Sequence, residues 1–233
     1  MAIIELTTPL TFDRVAHDLY RDIHKAIRAE LFAVTVDAGR TAPDDLLGRR
    51  ALASHVTAIM TQLVDHAEHE DAAIQPVLER ELPYLAERVE IDHATLEARI
   101  AGLADQAASI AEPGAEDGRR SLHRLYVELA SFTSAYLIHQ DVEEREIMPA
   151  LETAIGFEAV LGLHQAIIGA IPPAELAQSL AIMLPAMNVE DRVEMLGGMA
   201  QGAPPEVFEG VWSLAGSVLE PADFAAVGAR LGR

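Results

Sequence analysis

The stretch HAEHEDAAIQPVL, from His66 to Leu78, recurs in outline as HQDVEEREIMPAL, from His139 to Leu151. Both copies begin with His, carry Glu four residues later (Glu70, Glu143) and follow it with a second acid (Asp71, Glu144). Both then place Ile74 or Ile147, Pro76 or Pro149, and Leu78 or Leu151 at matching positions. Residues four apart share one face of an α-helix, with β-carbons roughly 5–6 Å apart. An imidazole and a carboxylate so placed can reach one metal ion, or two adjacent ones.

Around this pair the chain reads as helical throughout. Apolar residues are 50% of the 233 and aromatics only 5%, a mix rich in Ala and Leu that favours helix over sheet. Helical spacing of Val15, Leu19, Ile23, Ile27, Leu31 and Val34 predicts a first helix from about 11 to 36, capped by Thr11 or Asp13. Gly39 reads as its stop and Pro43-Asp44-Asp45 as the next start. A second helix is expected over 45–81 through Leu52, Val56, Ile59 and Leu63, with a kink or early end near Pro76. A third is expected over 83–110, with Leu85, Val89, Leu96, Ile100 and Leu103 inward. After the break at 112–118, a fourth runs over 119–155 through Leu122, Leu125, Leu129, Phe132 and Tyr136. The expected fold is all-α: an up-down-up-down four-helix bundle in residues 1–156, with a C-terminal extension in 157–233. In the extension, prolines and Asn188 punctuate four short helical stretches, and Met183, Met187, Met195 and Met199 form a stripe that reads as core.

Two lone histidines complete the pattern, His24 on the first helix and His93 on the third. In an antiparallel pair, residues at one level lie symmetrically about the turn. The midpoint of Glu70 and His93 falls within Glu81–Pro83, and that of His93 and Glu143 falls at Gly118. The midpoint of His24 and Glu70 falls at Leu47, just beyond the loop expected over 37–45. All four helices can therefore deliver ligands to one level. Imidazole suits iron, zinc and copper, and carboxylates can bridge two ions. A site of paired Glu-x-x-His motifs fits less well, because Glu90-x-x-His93 is the one clear instance. His55, three turns before His66, lies too far along the helix to join. His69 reads as solvent-facing or as backing a ligand, and His17, His123 and His164 as structural or exposed.

The order His24, His66-x-x-x-Glu70, His93, His139-x-x-x-Glu143 resembles the hemerythrin-like domain over about residues 12–155. That resemblance implies two iron ions with a bridging oxo or hydroxo group. His24 and His66 would hold one ion, His93 and His139 the other, and Glu70 and Glu143 would bridge them. Oxygen-carrying hemerythrins have a further His four residues after the third-helix His, where this chain has Glu97. Glu97 as a seventh ligand would favour ferric iron, and so redox chemistry or sensing over simple reversible carriage. The expected ligand is O2, peroxide or nitric oxide, with peroxidase- or catalase-like turnover or nitric oxide processing as the enzymatic form. An apolar pocket is expected from Ile59, Leu63, Leu96, Phe132 and Ile138. Tyr20 and Tyr136, one turn before His24 and His139, could hydrogen-bond a bound ligand, coordinate iron, or simply pack in the core. A regulatory protein signalling through its C-terminal helices, and a metal-free structural protein, stay open as alternatives.

The remaining composition excludes classes. A formal charge of −20 argues against nucleic acid or an anionic membrane as partner. The absence of cysteine excludes disulfides, iron–sulfur clusters and thiolate zinc sites. The N-terminal MAIIELTTPLTFDR lacks the pattern of a secretory signal, so a cytoplasmic protein is expected, with its C-terminal helices the candidate surface for a homodimer or a protein partner.

Overall fold

A computed structural model describes residues 15–112 and 118–233, and among them every regular element is helical. The bundle consists of α1 (Arg21–Arg40), α2 (Leu46–Ala73) continued by the short α3 (Gln75–Glu81), α4 (Pro83–Ala111), and α5 (Gly118–Val142). A π-helical turn (Glu143–Ile147) joins α5 to α6 (Met148–Ile155). Contacts of α1 with α2 and α5, and of α4 with α2 and α5, close these four rods into a ring. This is the expected bundle.

Its boundaries differ from the sequence reading where local chemistry competes with periodicity. The expected caps Thr11 and Asp13 lie outside the described residues. Residues 15–20 bend rather than coil, because the Glu152 carboxylate accepts from the Ala16 and His17 amides at 2.8 and 3.2 Å. The Asp18 carboxylate then accepts from the Tyr20 and Arg21 amides, both at 3.0 Å, and α1 begins. The expected stop at Gly39 falls inside α1. A Cβ there would lie 3.3 Å from the Tyr126 ring, so this glycine lets α5 approach closely. Asp45 caps α2 as expected, accepting from the Gly48 amide at 2.9 Å.

Both motif copies disturb their helices ahead of the proline, for one reason. Proline offers no amide hydrogen, so an α-type bond is missing six residues beyond Glu70 and Glu143. In the first copy the helix breaks at Ile74 and restarts as α3. In the second it widens into the π turn, where the Met148 amide donates to the Glu143 carbonyl.

The bundle has two apolar clusters along its length. One contains Ile27, Leu31, Leu63, Leu96, Leu129, Phe132 and Tyr136, and the other contains Tyr20, Ile74, Leu78, Val89, Ile147 and Leu151. On each helix the site histidine falls between a member of one and a member of the other. A polar layer thus lies between two greasy ones, and burying each large aliphatic side chain stabilises the stack by about 1.5–3 kcal/mol.

Beyond Gly156, whose φ of 81° breaks the chain, five short helices follow where four were expected. They are α7 (Phe157–Ala170), α8 (Pro173–Ala186), α9 (Val189–Gly202), α10 (Pro205–Val218) and α11 (Pro221–Leu231). Each begins sixteen residues after the one before, a repeat too weak in side chains for the sequence reading to register. Asn188 caps α9 by accepting from the Asp191 amide at 3.0 Å, and Pro173, Pro205 and Pro221 occupy first turns. Alternate helices pack together, α8 with α10 and α9 with α11, around Leu184, Leu196, Phe208 and Val227. Met187 is buried and Met183, Met195 and Met199 are half-buried, as a core stripe would be. The array docks on the bundle mainly through α8 against α1. Among the described residues, no single helix is long and apolar enough to cross a membrane.

Candidate metal centre

Four helices converge on one buried layer. His24 on α1, His66 and Glu70 on α2, His93 on α4, His139 on α5 and Glu143 in the π turn are each less than 9% exposed. All four imidazoles turn Nε2 inward. His66 Nε2 lies 3.3 Å from His24 Nε2, and the paired rings His24–His66 and His93–His139 have centroids 5.3 and 5.0 Å apart. Glu70 spans His66 (Oε1, 3.1 Å) and His93 (Oε2, 3.4 Å). Glu143 spans His139 (Oε1, 3.2 Å) and His24 (Oε2, 3.4 Å). The expected hairpin arithmetic therefore holds in space, including the His24–Glu70 level.

These atoms are close without being well paired. Both Glu70 oxygens, Glu143 Oε2 and His93 Nε2 are buried and make no hydrogen bond of proper geometry. An unpaired buried carboxylate oxygen is costly, and such groups persist where something else satisfies them. Among the described residues, two groups have the reach to hold a cation: Glu70, His93, His139 and Glu143, and His24, His66 and Glu70, with donor atoms inside each lying within 4.8 Å of one another. Four imidazoles with two carboxylates form a donor set suited to cations such as iron, zinc or copper.

The outer nitrogens have carboxylate partners too. His24 Nδ1 lies 2.9 Å from Glu144 Oε1, and His93 Nδ1 lies 2.9 Å from Asp71 Oδ1. Arg28 Nη1 donates to the same Glu144 oxygen at 2.7 Å. His139 Nδ1 faces Asp92 at 3.8 Å, beyond a direct hydrogen bond. Nothing in the sequence pattern assigns a role to the two acids following Glu70 and Glu143, or to Arg28 and Asp92. The only signal for the acids was their recurrence in both copies.

The electrostatics divide the histidines. Burial pushes His66 down to about 4, with the Glu70 charge opposing it and the neighbouring histidines adding to it. Burial pushes His93 down as well, but the close Glu70 carboxylate, then Asp71 and Glu143, carry it up to about 9. His139 is also raised, with the Glu143 carboxylate outweighing burial. Glu144 is pulled down to about 2, since His24 and Arg28 overcome its burial. Burial, then the charges of Glu70 and Glu143, holds Tyr20 and Tyr136 well above the usual phenol range. Both tyrosines are buried against site rings, Tyr20 at 5.1 Å from His24 and Tyr136 at 5.7 Å from His139. They remain neutral O–H donors at ordinary pH.

Small pockets flank the layer. One is lined by Leu63, Leu96, Ile100 and Tyr136 beside His93 and His139, and has about 10 Å³ of room, the scale of one water molecule. Glu97 is exposed and stands at this pocket's wall, and the cation-ready groups form without it. Of the expected pocket residues, Leu63 and Leu96 line it, while Ile59 and Phe132 are buried in the adjoining core. Ile138 is 61% exposed: it precedes His139, so it lies about 100° around α5 and faces outward.

The other histidines lie outside the layer. His69 pairs with Glu175 of α8 at 3.2 Å, so it faces the C-terminal array. His55 bridges Glu30 and Asp37 at 3.0 Å each, and His17 stacks edge-on with His164 at 4.8 Å.

Comparison with known proteins agrees with this geometry. The family model "Hemerythrin HHE cation binding domain" matches residues 15–151. No curated protein and no solved structure matches the chain. With six buried imidazole and carboxylate side chains converging inside a match over more than half its length, the chain belongs to the hemerythrin HHE cation-binding domain family.

Proposed function

We propose that this is a non-haem di-iron protein that binds O2 or reacts with small oxidants such as peroxide or nitric oxide. In this reading His24 and His66 hold one ion, His93 and His139 hold the other, and Glu70 and Glu143 are shared. The observation that carries it is the set of buried, unpaired oxygens, both of Glu70 and Oε2 of Glu143, among four inward Nε2 atoms. An iron pair would supply electron exchange with a ligand of that class. The chain's own part is to bind, orient and exclude water. Leu63, Leu96 and Ile100 wall the pocket beside His93, and its size admits a molecule of two or three atoms. Tyr136 in that wall, and Tyr20 on the opposite side of the layer, are placed to donate an O–H to such a ligand. Glu97 stands where an exposed carboxylate can approach the His93 ion or gate the pocket mouth. Residues 1–156 would form the metal-binding unit and 157–233 an appended helical array.

A sensing role has an observation of its own. The helices that carry His24 and His66 also carry the docking contacts of the array: Lys25 and Arg21 with Asp191, Arg21 with Glu194 at 3.1 Å, and His69 with Glu175. A change at the metal layer is thereby one helical turn from the extension.

The experiment is metal analysis of the purified protein beside the His66→Ala/His139→Ala double variant, with optical spectra on adding O2, peroxide and nitric oxide. Iron bound by the wild type and lost from the variant, with a spectrum that responds to one of these ligands, supports the reading. Equal iron in both proteins sinks it. Catalytic turnover of peroxide or nitric oxide favours an enzyme, and a response without turnover favours a sensor.

A further inference from the structure

We infer that Asp71 and Glu144 are positioning residues that fix His93 and His24 as Nε2 donors toward the centre of the bundle. Each follows a cluster glutamate directly, and successive helical residues point about 100° apart. With Glu70 turned into the layer, Asp71 reaches across to α4 and meets His93 Nδ1 at 2.9 Å. With Glu143 turned in, Glu144 reaches across to α1 and meets His24 Nδ1 at 2.9 Å.

A neutral imidazole has one N–H, and the bond made by one nitrogen decides which nitrogen keeps its lone pair. A carboxylate at Nδ1 holds the proton there. Nε2 then presents its lone pair inward, and the ring cannot flip without losing that bond. The division of labour follows the sequence. His66 and His139 each have a glutamate four residues on in their own helix, at 3.1 and 3.2 Å. The residues four on from His24 and His93 are Arg28 and the exposed Glu97, which stands outside the cation-ready groups, and it is these two histidines that receive the following acid from a neighbouring helix. One motif copy thus organises two histidines: its own through Glu70 or Glu143, and a lone one through Asp71 or Glu144. The two supports differ in rigidity. Glu144 is mostly buried and clamped by Arg28, whereas the Asp71 side chain is 51% exposed.

This inference rests on the di-metal reading above, and its test separates the two. Full-length protein, stripped with a chelator, would be compared with Asp71→Ala, Glu144→Ala and the conservative Asp71→Glu by histidine ¹⁵N NMR and by titration with ferrous iron. Recorded above pH 9, where His93 is neutral, the wild type is expected to show His24 and His93 protonated on Nδ1 alone. Asp71→Ala should scramble His93 alone and Glu144→Ala His24 alone, with iron affinity falling about 10–100-fold in each. Asp71→Glu should restore the His93 signature, which mere loss of packing would not predict. Unchanged tautomers in both alanine variants, or unchanged iron affinity in a wild-type background that binds iron, overturns the positioning role. A wild type that binds no iron defeats the di-metal reading, while the tautomer signals still decide this one.

Discussion

At the site, two chemically identical side chains work under opposite fields. His66 is pushed down to about 4 by burial, while the carboxylates around His93 raise it to about 9 against the same burial. The consequences for stability have opposite signs. His66, favoured neutral in the fold, contributes stability that is complete above its ordinary value of 6.5 and is lost as pH falls through 4. His93, favoured protonated, contributes stability that is complete below 6.5 and is lost as pH rises through 9. Glu144 adds a third window, since its contribution is complete above 4.5 and lost as pH falls through 2. Chelator-treated protein should therefore be most stable near pH 6.5, with urea midpoints declining on both sides. A midpoint rising steadily from pH 6.5 to 9 would contradict this assignment of His93. A cation held by His93, as proposed, must displace its proton, so metal affinity should rise with pH up to about 9 and level off above it.

At the scale of elements, proline and glycine set where the helices deliver their side chains. Pro149 leaves the Arg145 carbonyl without its α-type donor, and the chain answers with the π turn that carries Glu143 and Glu144. Pro149→Ala restores the missing amide and should favour regular α-helix there. The expected outcome is a folded protein with weaker iron binding, read by titration alongside far-UV circular dichroism; iron affinity equal to wild type would show that the π turn has no part in placing the acids. Gly156 is a separate case. Its φ of 81° and ψ of 160° lie in a region essentially closed to other residues, and a Cβ there would meet nothing within 4 Å. Gly156→Ala should thus cost about 1–3 kcal/mol through backbone strain alone, measured as a lower denaturation midpoint with metal stoichiometry unchanged.

Over the whole molecule, α8–α11 and the bundle share a surface but not a core, whereas α7 places Val160 in one of the bundle's own clusters. Leu184 is fully buried among Leu196, Phe208 and Val227, in a cluster separate from both layers that flank the metal site. Arg192, 4% exposed, ties this unit together, donating to the Leu184 carbonyl at 2.7 Å and to Asp223 at 2.6 Å. Leu184→Ala is expected to destabilise the array by about 2–5 kcal/mol while leaving iron stoichiometry intact. Hydrogen exchange would localise the loosening to α8–α11; equal loss of protection in α4 would mean that array and bundle unfold as one unit.

The sequence by itself determined the rods, their order and the six residues that meet, because helical period, hairpin symmetry and i, i+4 spacing are local rules that survive without coordinates. Leu52, Val56, Leu63, Leu125 and Leu129 are inward as their period requires. It also carried the recurrence of an acid after Glu70 and Glu143, without its meaning. Only the tertiary structure decided that those acids face His93 and His24, since the partners sit on other helices, 22 and 120 residues away along the chain. It also decided that Gly39 admits Tyr126, that Ile138 faces outward, and that the extension is a regular array lying against α1. Each of these depends on how neighbouring rods are rotated and how closely they approach, and a one-dimensional pattern holds no record of either.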